Sequence, residues 1–296
     1  MRPLDIIAAT TVAVIWGLAF IAIEYALQSF TAPDLLALRF IIAALPMFFI
    51  KKPNISWSAL ITLGTLLFVG QFMFLFFAYD AGIPPGLASL ATHTQAIFTI
   101  IIAAAVLREI PNTRQIIGIV LAFVGLGVIF QSVDATLTYL GLILTLCGAI
   151  SWAFGNTVLK KLGRVDMLAL MIWLSLVPPF PAFAASAMMG ELGGFVYRIQ
   201  DASMISILAV LYLGLIATTV AFAIWGRLLS TYPAVMVTPF ALFAPCAGVI
   251  ASYFIFGESF GLTRGTGMVL IFMGVSITLL SGRRYLSPKP VNKDID

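Results

Sequence analysis

Long apolar runs, cut at short intervals by turns that carry charge, proline or glycine, make up nearly the whole chain. Each run is about 20 residues, the length at which an α-helix crosses the hydrocarbon of a bilayer. Ten runs are predicted as spans, at about 5–27, 33–50, 58–79, 84–107, 113–131, 138–159, 167–189, 204–226, 233–256 and 263–281. The turns between them hold the residues expected of helix stops. No loop or tail is long enough for a soluble domain. The fold expected is an all-α polytopic membrane protein with ten transmembrane helices.

The pattern also repeats. Residues 84–130, moved forward by 149 positions, lie on 233–279 without a gap. Pro84 falls on Pro233, Glu109 on Glu258, Gly118 on Gly267 and Gly125 on Gly274. In both copies an apolar run ends in one glutamate, a polar turn follows, and a second run carries glycines at helical spacing. A repeat of this length sets the architecture. It divides the chain into a first repeat, 1–133, a second, 134–286, and a tail, 287–296. Five spans per half is an odd number, so the halves cross the membrane in opposite directions. Such inverted repeats suit alternating access, with the substrate near the midplane between the halves.

Composition agrees: 61% of residues are apolar and 9% charged, against about 25% charged in soluble domains, and mean hydropathy is +1.10. The net charge of +4 is scattered over helix ends, which fits membrane orientation better than nucleic acid. With the N-terminus inside, thirteen of the sixteen Lys and Arg fall on inner segments and two, Arg198 and Arg264, on outer ones. Arg39 stays within a span. This predicts a multi-pass membrane protein with both termini cytoplasmic. The segment after Arg2 runs on to Leu27 without a small-residue cleavage site, so it reads as a span rather than a signal peptide. Cys147 and Cys246 lie inside apolar runs and read as buried thiols, with no partners for a metal or redox site. No cofactor is expected. The partners expected are a small solute and membrane lipids, and the chain is expected to be a monomer or a weak homodimer.

Polar side chains inside the spans are the candidates for function. On one continuous helix Ser89, Thr92, Gln95 and Thr99 fall within about 120°, with His93 about 40° beyond. Interhelical hydrogen bonds account for the serine and threonines. Gln95 and His93, the only histidine, are open to that role or to binding and titration. The repeat has Leu242 and Ala244 in their places, so the halves are chemically unequal. Arg39 is the costliest residue, at about 2.5 kcal/mol or more unless it finds water or a partner. Three readings stand: snorkelling to the outer surface, a pair with Glu24, or a fixed charge for a substrate carboxylate. Trp16 and Phe20 in span one and Thr145, Trp152 and Asn156 in span six outline an aromatic-lined cavity, to which Gln71 and Thr218 add polar groups. Pro46, Pro178, Pro179, Pro181, Pro239 and Pro245 are candidate bends. The four glycines of spans five and ten mark packing helices.

The motifs are Trp16-Gly17 with Phe20, Arg39-Phe40, Gln71-Phe72, Gly86-Leu87-Ala88-Ser89-Leu90, Gln95-Ala96, Glu109, Ser151-Trp152-Ala153, Gly155-Asn156, Lys160-Lys161 and Ile224-Trp225-Gly226. In these the chain resembles the EamA family of the drug/metabolite transporter superfamily, over nearly its whole length. The resemblance implies two inverted five-helix repeats in a bacterial inner membrane. It implies a central cavity lined mainly by the first four helices of each repeat, and export of small amino-acid-related solutes. It would place Trp16, Arg39, Gln71, Gln95, Trp152 and Asn156 in or near that cavity. The chain departs from the family in carrying Glu24 where a basic residue is common, and His93 is not part of the family pattern. The function expected is a secondary exporter of small amino-acid-related metabolites of the cysteine and O-acetylserine kind, driven by proton exchange, with another small metabolite or a drug as the alternative cargo. A passive channel would not need the inverted repeat. An intramembrane transferase would need convergent acid, base or metal-ligating groups that the spans do not offer.

Overall fold

The structure, a computed structural model, describes residues 1–108, 110–131, 137–162, 165–232 and 234–281. Glu109, Asp134, Arg164, Pro233, the junction of the two repeats, Arg283, Arg284, Lys289, Lys293 and the tail lie outside the described residues.

The described residues form helices that follow the ten predicted runs. The first, α1, is Pro3–Leu27. The second, α2, is Ala32–Ala44, started by a capping box between Thr31 and Asp34 and prolonged by a 3₁₀ turn, Leu45–Phe48. Pro46 explains that ending, because it has no N–H to continue an α-helix. The rest are α3 (Trp57–Asp80), α4 (Pro85–Leu107), α5 (Thr113–Phe130), α6 (Tyr139–Leu162), α7 (Met167–Met188), α8 (Met204–Thr231), α9 (Thr238–Phe256) and α10 (Gly261–Leu280). Among the described residues, the nine other than α2 are each long and apolar enough to cross a membrane. The ends follow the predicted turns closely, except that α8 runs past Gly226 to Thr231.

α5 and α10 are regular and pack along their length. A Cβ on Gly118 would lie 2.6 Å from the Gly274 carbonyl oxygen, and one on Gly274 would lie 2.5 Å from that of Gly118. Gly125 and Gly267 face each other in the same way, at 2.7 and 2.8 Å. Gly118 corresponds to Gly267 and Gly125 to Gly274 in the repeat. Each contact is therefore the other with the two helices exchanged, as a two-fold axis between antiparallel helices requires.

Other helices depart from regular winding, at matching places. α3 widens to a π-helix over Thr65–Gly70, and α8 over Tyr212–Val220. The 149-residue offset carries the first segment into the second. α4 breaks at His93–Thr94, and α9 opens as a 3₁₀ stretch, Thr238–Leu242, before its α-helix starts at Phe243. The same offset carries His93 onto Leu242. α1 packs against α8 and α9, while α6 packs against α3 and α4, so each half's first helix lies on the other half's irregular helices.

Candidate functional site

Arg39 lies on α2 at the contact of α2, α3 and α8. It is 4% exposed, so it does not snorkel. No carboxylate lies within ion-pair distance of it among the described residues, and the pair with Glu24 does not form. Its Nε and Nη2 both donate to one atom, Thr218 Oγ1, at 3.3 Å each. Thr218 Oγ1 in turn donates to the Leu213 carbonyl at 2.8 Å, inside the widened segment of α8. The guanidinium carbon stands 4.0 Å from the centroid of the Phe72 ring and 5.3 Å from that of Phe40. Arg39 Nη1 is buried without a hydrogen-bond partner. Buried polar groups are nearly always paired, and a buried charge more so. Gln71, beside Phe72 and 3% exposed, likewise leaves its Oε1 without a partner.

The other predicted residues gather around this point to different degrees. Phe72 packs on Phe68, and Phe68 on Trp152 at 6.5 Å, so a file of rings joins Arg39 to α6. Trp16 donates its Nε1 to the Ala217 carbonyl at 3.1 Å, one residue from Thr218, and packs on Phe222 and Trp225. α1 and α2 therefore meet α8 at adjacent residues. Asn156 donates to Thr99 Oγ1 at 3.3 Å, and Thr99 donates to the Gln95 carbonyl at 2.7 Å. This second group, between α4 and α6, holds Gln95 by its backbone.

His93 belongs to neither group. Its ring lies 6.5 Å from Phe20, and its Nδ1 is 2.7 Å from the Ser89 carbonyl. With a carbonyl as acceptor, Nδ1 carries a hydrogen, and in the neutral ring Nε2 is then the acceptor nitrogen. The stripe expected of one continuous helix is split by the break here, and the cause is local. The His93 and Thr94 N–H groups turn to Leu90 and Ala91, three residues back, while the two side chains bond the Ser89 and Ala91 carbonyls. Side chains that compete for helix carbonyls bend the helix without a proline.

Polar ties close both ends of the bundle. On the face bearing the N-terminus, buried Asp5 of α1 accepts from Arg227 Nη2 at 3.1 Å and Tyr232 Oη at 2.7 Å, and Tyr232 Oη accepts from the Arg2 N–H at 3.2 Å. On the opposite face, Arg198, in the short helix Phe195–Asp201, pairs with Asp34 and donates to the Glu191 carbonyl at 2.9 Å. Its hydrogen bond to Asp34 pushes the Arg198 guanidinium above its ordinary value. Glu258 accepts from the Gly86 N–H, 3.3 and 3.4 Å from its two oxygens, at the start of α4. Burial pushes the Glu258 carboxyl up. A cavity of 770 Å³ on the N-terminal face lies between the start of α7 and the end of α8, and one of 310 Å³ on the opposite face reaches Arg198. Neither is lined by Arg39, which is buried. Sequence reasoning named Thr218 without its partner, and named neither tie. Their charges lie near helix ends, where solvation is the ordinary expectation.

The chain matches the EamA-like transporter family twice, over residues 4–131 and 139–280. It is 35% identical over 290 residues to the "Probable amino-acid metabolite efflux pump" of Escherichia coli (strain K12), covering 96% of this chain and 97% of that one. To the protein of the same name in Salmonella typhimurium it is 34% identical with the same coverage. A solved crystal structure, 18% identical, aligns over 96% of this chain and all of its own with a TM-score of 0.58, which speaks for the fold alone. With both family matches spanning the described helices, and with relatives this similar over nearly their full length, the chain belongs to the EamA-like transporter family.

Proposed function

We propose that this transporter exports small amino-acid-related metabolites, of the kind represented by cysteine and O-acetylserine, by alternating access, with protons exchanged in return. Membership of a transporter family sets the enzyme reading aside. The observation that carries the proposal is Arg39: a buried cation, without a carboxylate partner, at the contact of α2, α3 and α8. A site that is polar at one point and faced by Phe40 and Phe72, with Trp152 reached through Phe68 and Trp16 bonded one residue from Thr218, suits a small zwitterion with a carboxylate. Gln71, Gln95 and Asn156 supply hydrogen bonds, and His93, at the break in α4, is the group for the proton. The two halves, 1–133 and 134–286, act as inverted repeats in an inner membrane with both termini cytoplasmic. Opening then alternates between the Asp5–Arg227 face and the Asp34–Arg198 face.

Uptake into everted inner-membrane vesicles tests this. Labelled cysteine, O-acetylserine and other neutral amino acids are offered with and without a pH gradient. Gradient-dependent accumulation of at least one is expected. Arg39→Lys, which keeps the charge and loses the guanidinium fork, is expected to raise the apparent KM about tenfold in protein of normal abundance. His93→Gln is expected to abolish the response to the gradient while solute exchange continues. Flux that runs only downhill would replace the exporter with a channel.

A further inference from the structure

The surroundings of Arg39 are asymmetric in a way that specifies its ligand. Two of its nitrogens, Nε and Nη2, point at one neutral hydroxyl, both at 3.3 Å. That hydroxyl gives its own hydrogen to Leu213, so it offers the guanidinium lone pairs only. Phe72 covers the face of the group, 4.0 Å away, a cation–π contact that fixes its plane. The remaining edge, Nη1, has no partner and almost no exposure. A guanidinium held by one side and one face, with one edge unpaired, is prepared for a planar bidentate acceptor at that edge.

We propose that Arg39 forms a carboxylate subsite in which the solute is taken end-on through Nη1 and Nη2, and that Thr218 is its positioning residue, holding Nε so that this edge faces the solute. This rests on the export reading above and adds a requirement to it: every transported solute carries a free carboxylate. The same placement links binding to α8. Thr218 lies within the widened segment of α8, Tyr212–Val220, and one residue from the carbonyl that accepts from Trp16. Nη2 has a second hydrogen on the Nη1 edge, so a carboxylate taken end-on leaves the Thr218 bonds in place and ties the bound solute, through Arg39 and Thr218, to the irregular part of α8. Thr219 lies in the same segment and bonds the Gly214 carbonyl at 3.1 Å in the same five-residue manner, but no bond joins it to Arg39. It separates the role of the hydroxyl toward Arg39 from its role in the winding of α8.

The test uses the full-length protein in everted vesicles and, purified, in nanodiscs. Uptake of labelled O-acetylserine, cysteine and alanine is competed by unlabelled alanine, by alaninamide and by alanine methyl ester. For the wild type, alanine is expected to compete at least tenfold better than either neutralised analogue, as loss of a charged hydrogen bond implies. Thr218→Val is expected to raise KM for the free acids about tenfold, with a smaller change in maximal rate, and to erase the preference over the amide. Thr218→Ser is expected to restore that preference. Thr219→Val is expected to leave it at the wild-type ratio. Thermal melting in nanodiscs with alanine or alaninamide reads the same preference without transport. Export that treats acid, amide and ester alike would overturn the carboxylate subsite and leave the exporter standing. A preference for the acid that survives Thr218→Val would overturn the role of Thr218. Wild-type protein that neither moves nor is stabilised by any of the free acids would overturn the export reading and this inference together.

Discussion

α5 and α10 differ from the helix pairs beside them in the way they are held. They are regular, and backbone meets backbone at Gly118, Gly125, Gly267 and Gly274, with the side chains of Ala122, Ile129, Ile271 and Thr278 packed beside the glycines. α3 and α8 are wound wide, α4 is broken and α9 opens in a 3₁₀ stretch. Rings from other helices bond or line them, and polar atoms of Gln71, Ser89 and Thr92, with Arg39 of the adjoining α2, lie buried without partners, against Ser276 alone in α10 among the described residues. In a membrane the interior gains nothing from apolar burial between helices, so close packing and hydrogen bonds decide association. The first pair spends its sequence on closeness. The second set keeps polar groups available and its backbone irregular, as segments at functional sites often are. The lesson is a division of labour: α5 and α10 form a scaffold on which the other helices work.

The largest test is to break the scaffold with one methyl group. In Gly274→Ala the new Cβ would lie 2.5 Å from the Gly118 carbonyl oxygen and 2.6 Å from the Ala122 amide nitrogen. Both are backbone atoms, so the helices must separate. A loss of about 2–3 kcal/mol, the upper part of the range for overpacking, is expected, read as a lower melting temperature in detergent. Gly127→Ala, in the same helix but with nothing within 4 Å of the new atom, is expected to be neutral or to stabilise by up to about 1 kcal/mol. Equal losses at both positions would show that the close approach is not what holds the pair.

The same division explains what could be read from the amino-acid sequence. The scaffold was legible because small residues at helical spacing leave a visible mark, and because the duplication places those marks at a constant offset. The bends at prolines were legible too: α2 ends in a 3₁₀ turn at Pro46, and α7 is interrupted before Pro179. The break in α4 was not. His93 and Thr94 cause it through hydrogen bonds to nearby carbonyls, and residue types alone do not say which carbonyl a side chain takes. The widened segments of α3 and α8 have the hydropathy of ordinary spans. Arg39 could be identified as costly from its place in an apolar run. Its actual partner, Thr218, is 179 positions away, beyond any local pattern, whereas a pair with Glu24 is only one of three readings the sequence leaves open.

A smaller test addresses the irregular set. Trp16→Phe keeps a ring against Phe222 and Trp225 but removes the donor to the Ala217 carbonyl. A hydrogen bond between membrane helices contributes about 0.6 kcal/mol on average, and a loss of that size is expected. Its location matters more than its size. Hydrogen exchange is expected to quicken within 212–220 of α8 and to stay unchanged in α10, because local opening follows local bonding. Faster exchange spread evenly over both helices would mean that Trp16 supports the whole bundle, and the distinction between scaffold and working helices would lose its sharpest support.

The smallest expected effect concerns the tie between the two interrupted helices. Glu258 follows α9 and accepts from the Gly86 N–H at the start of α4. Burial raises its carboxyl above the ordinary 4.5, against the opposing pulls of the Ser252 hydroxyl, the Gly86 N–H and the Arg264 charge. The folded protein therefore holds this proton more tightly than the unfolded chain does. By linkage, stability is greatest below the unfolded value and falls as pH rises through the raised folded one. Glu258→Gln removes the titration and keeps an oxygen for the Gly86 N–H. The difference in melting temperature between wild type and Glu258→Gln should thus move against the wild type as pH rises above about 4.5, by a small amount, since the carboxylate is only partly buried. A difference independent of pH would assign Glu258 a purely geometric role in joining α4 to α9. A difference of opposite sign would mean that hydrogen bonding to the ionised form outweighs burial there, which would make the joint between the two irregular helices firmer than their winding suggests.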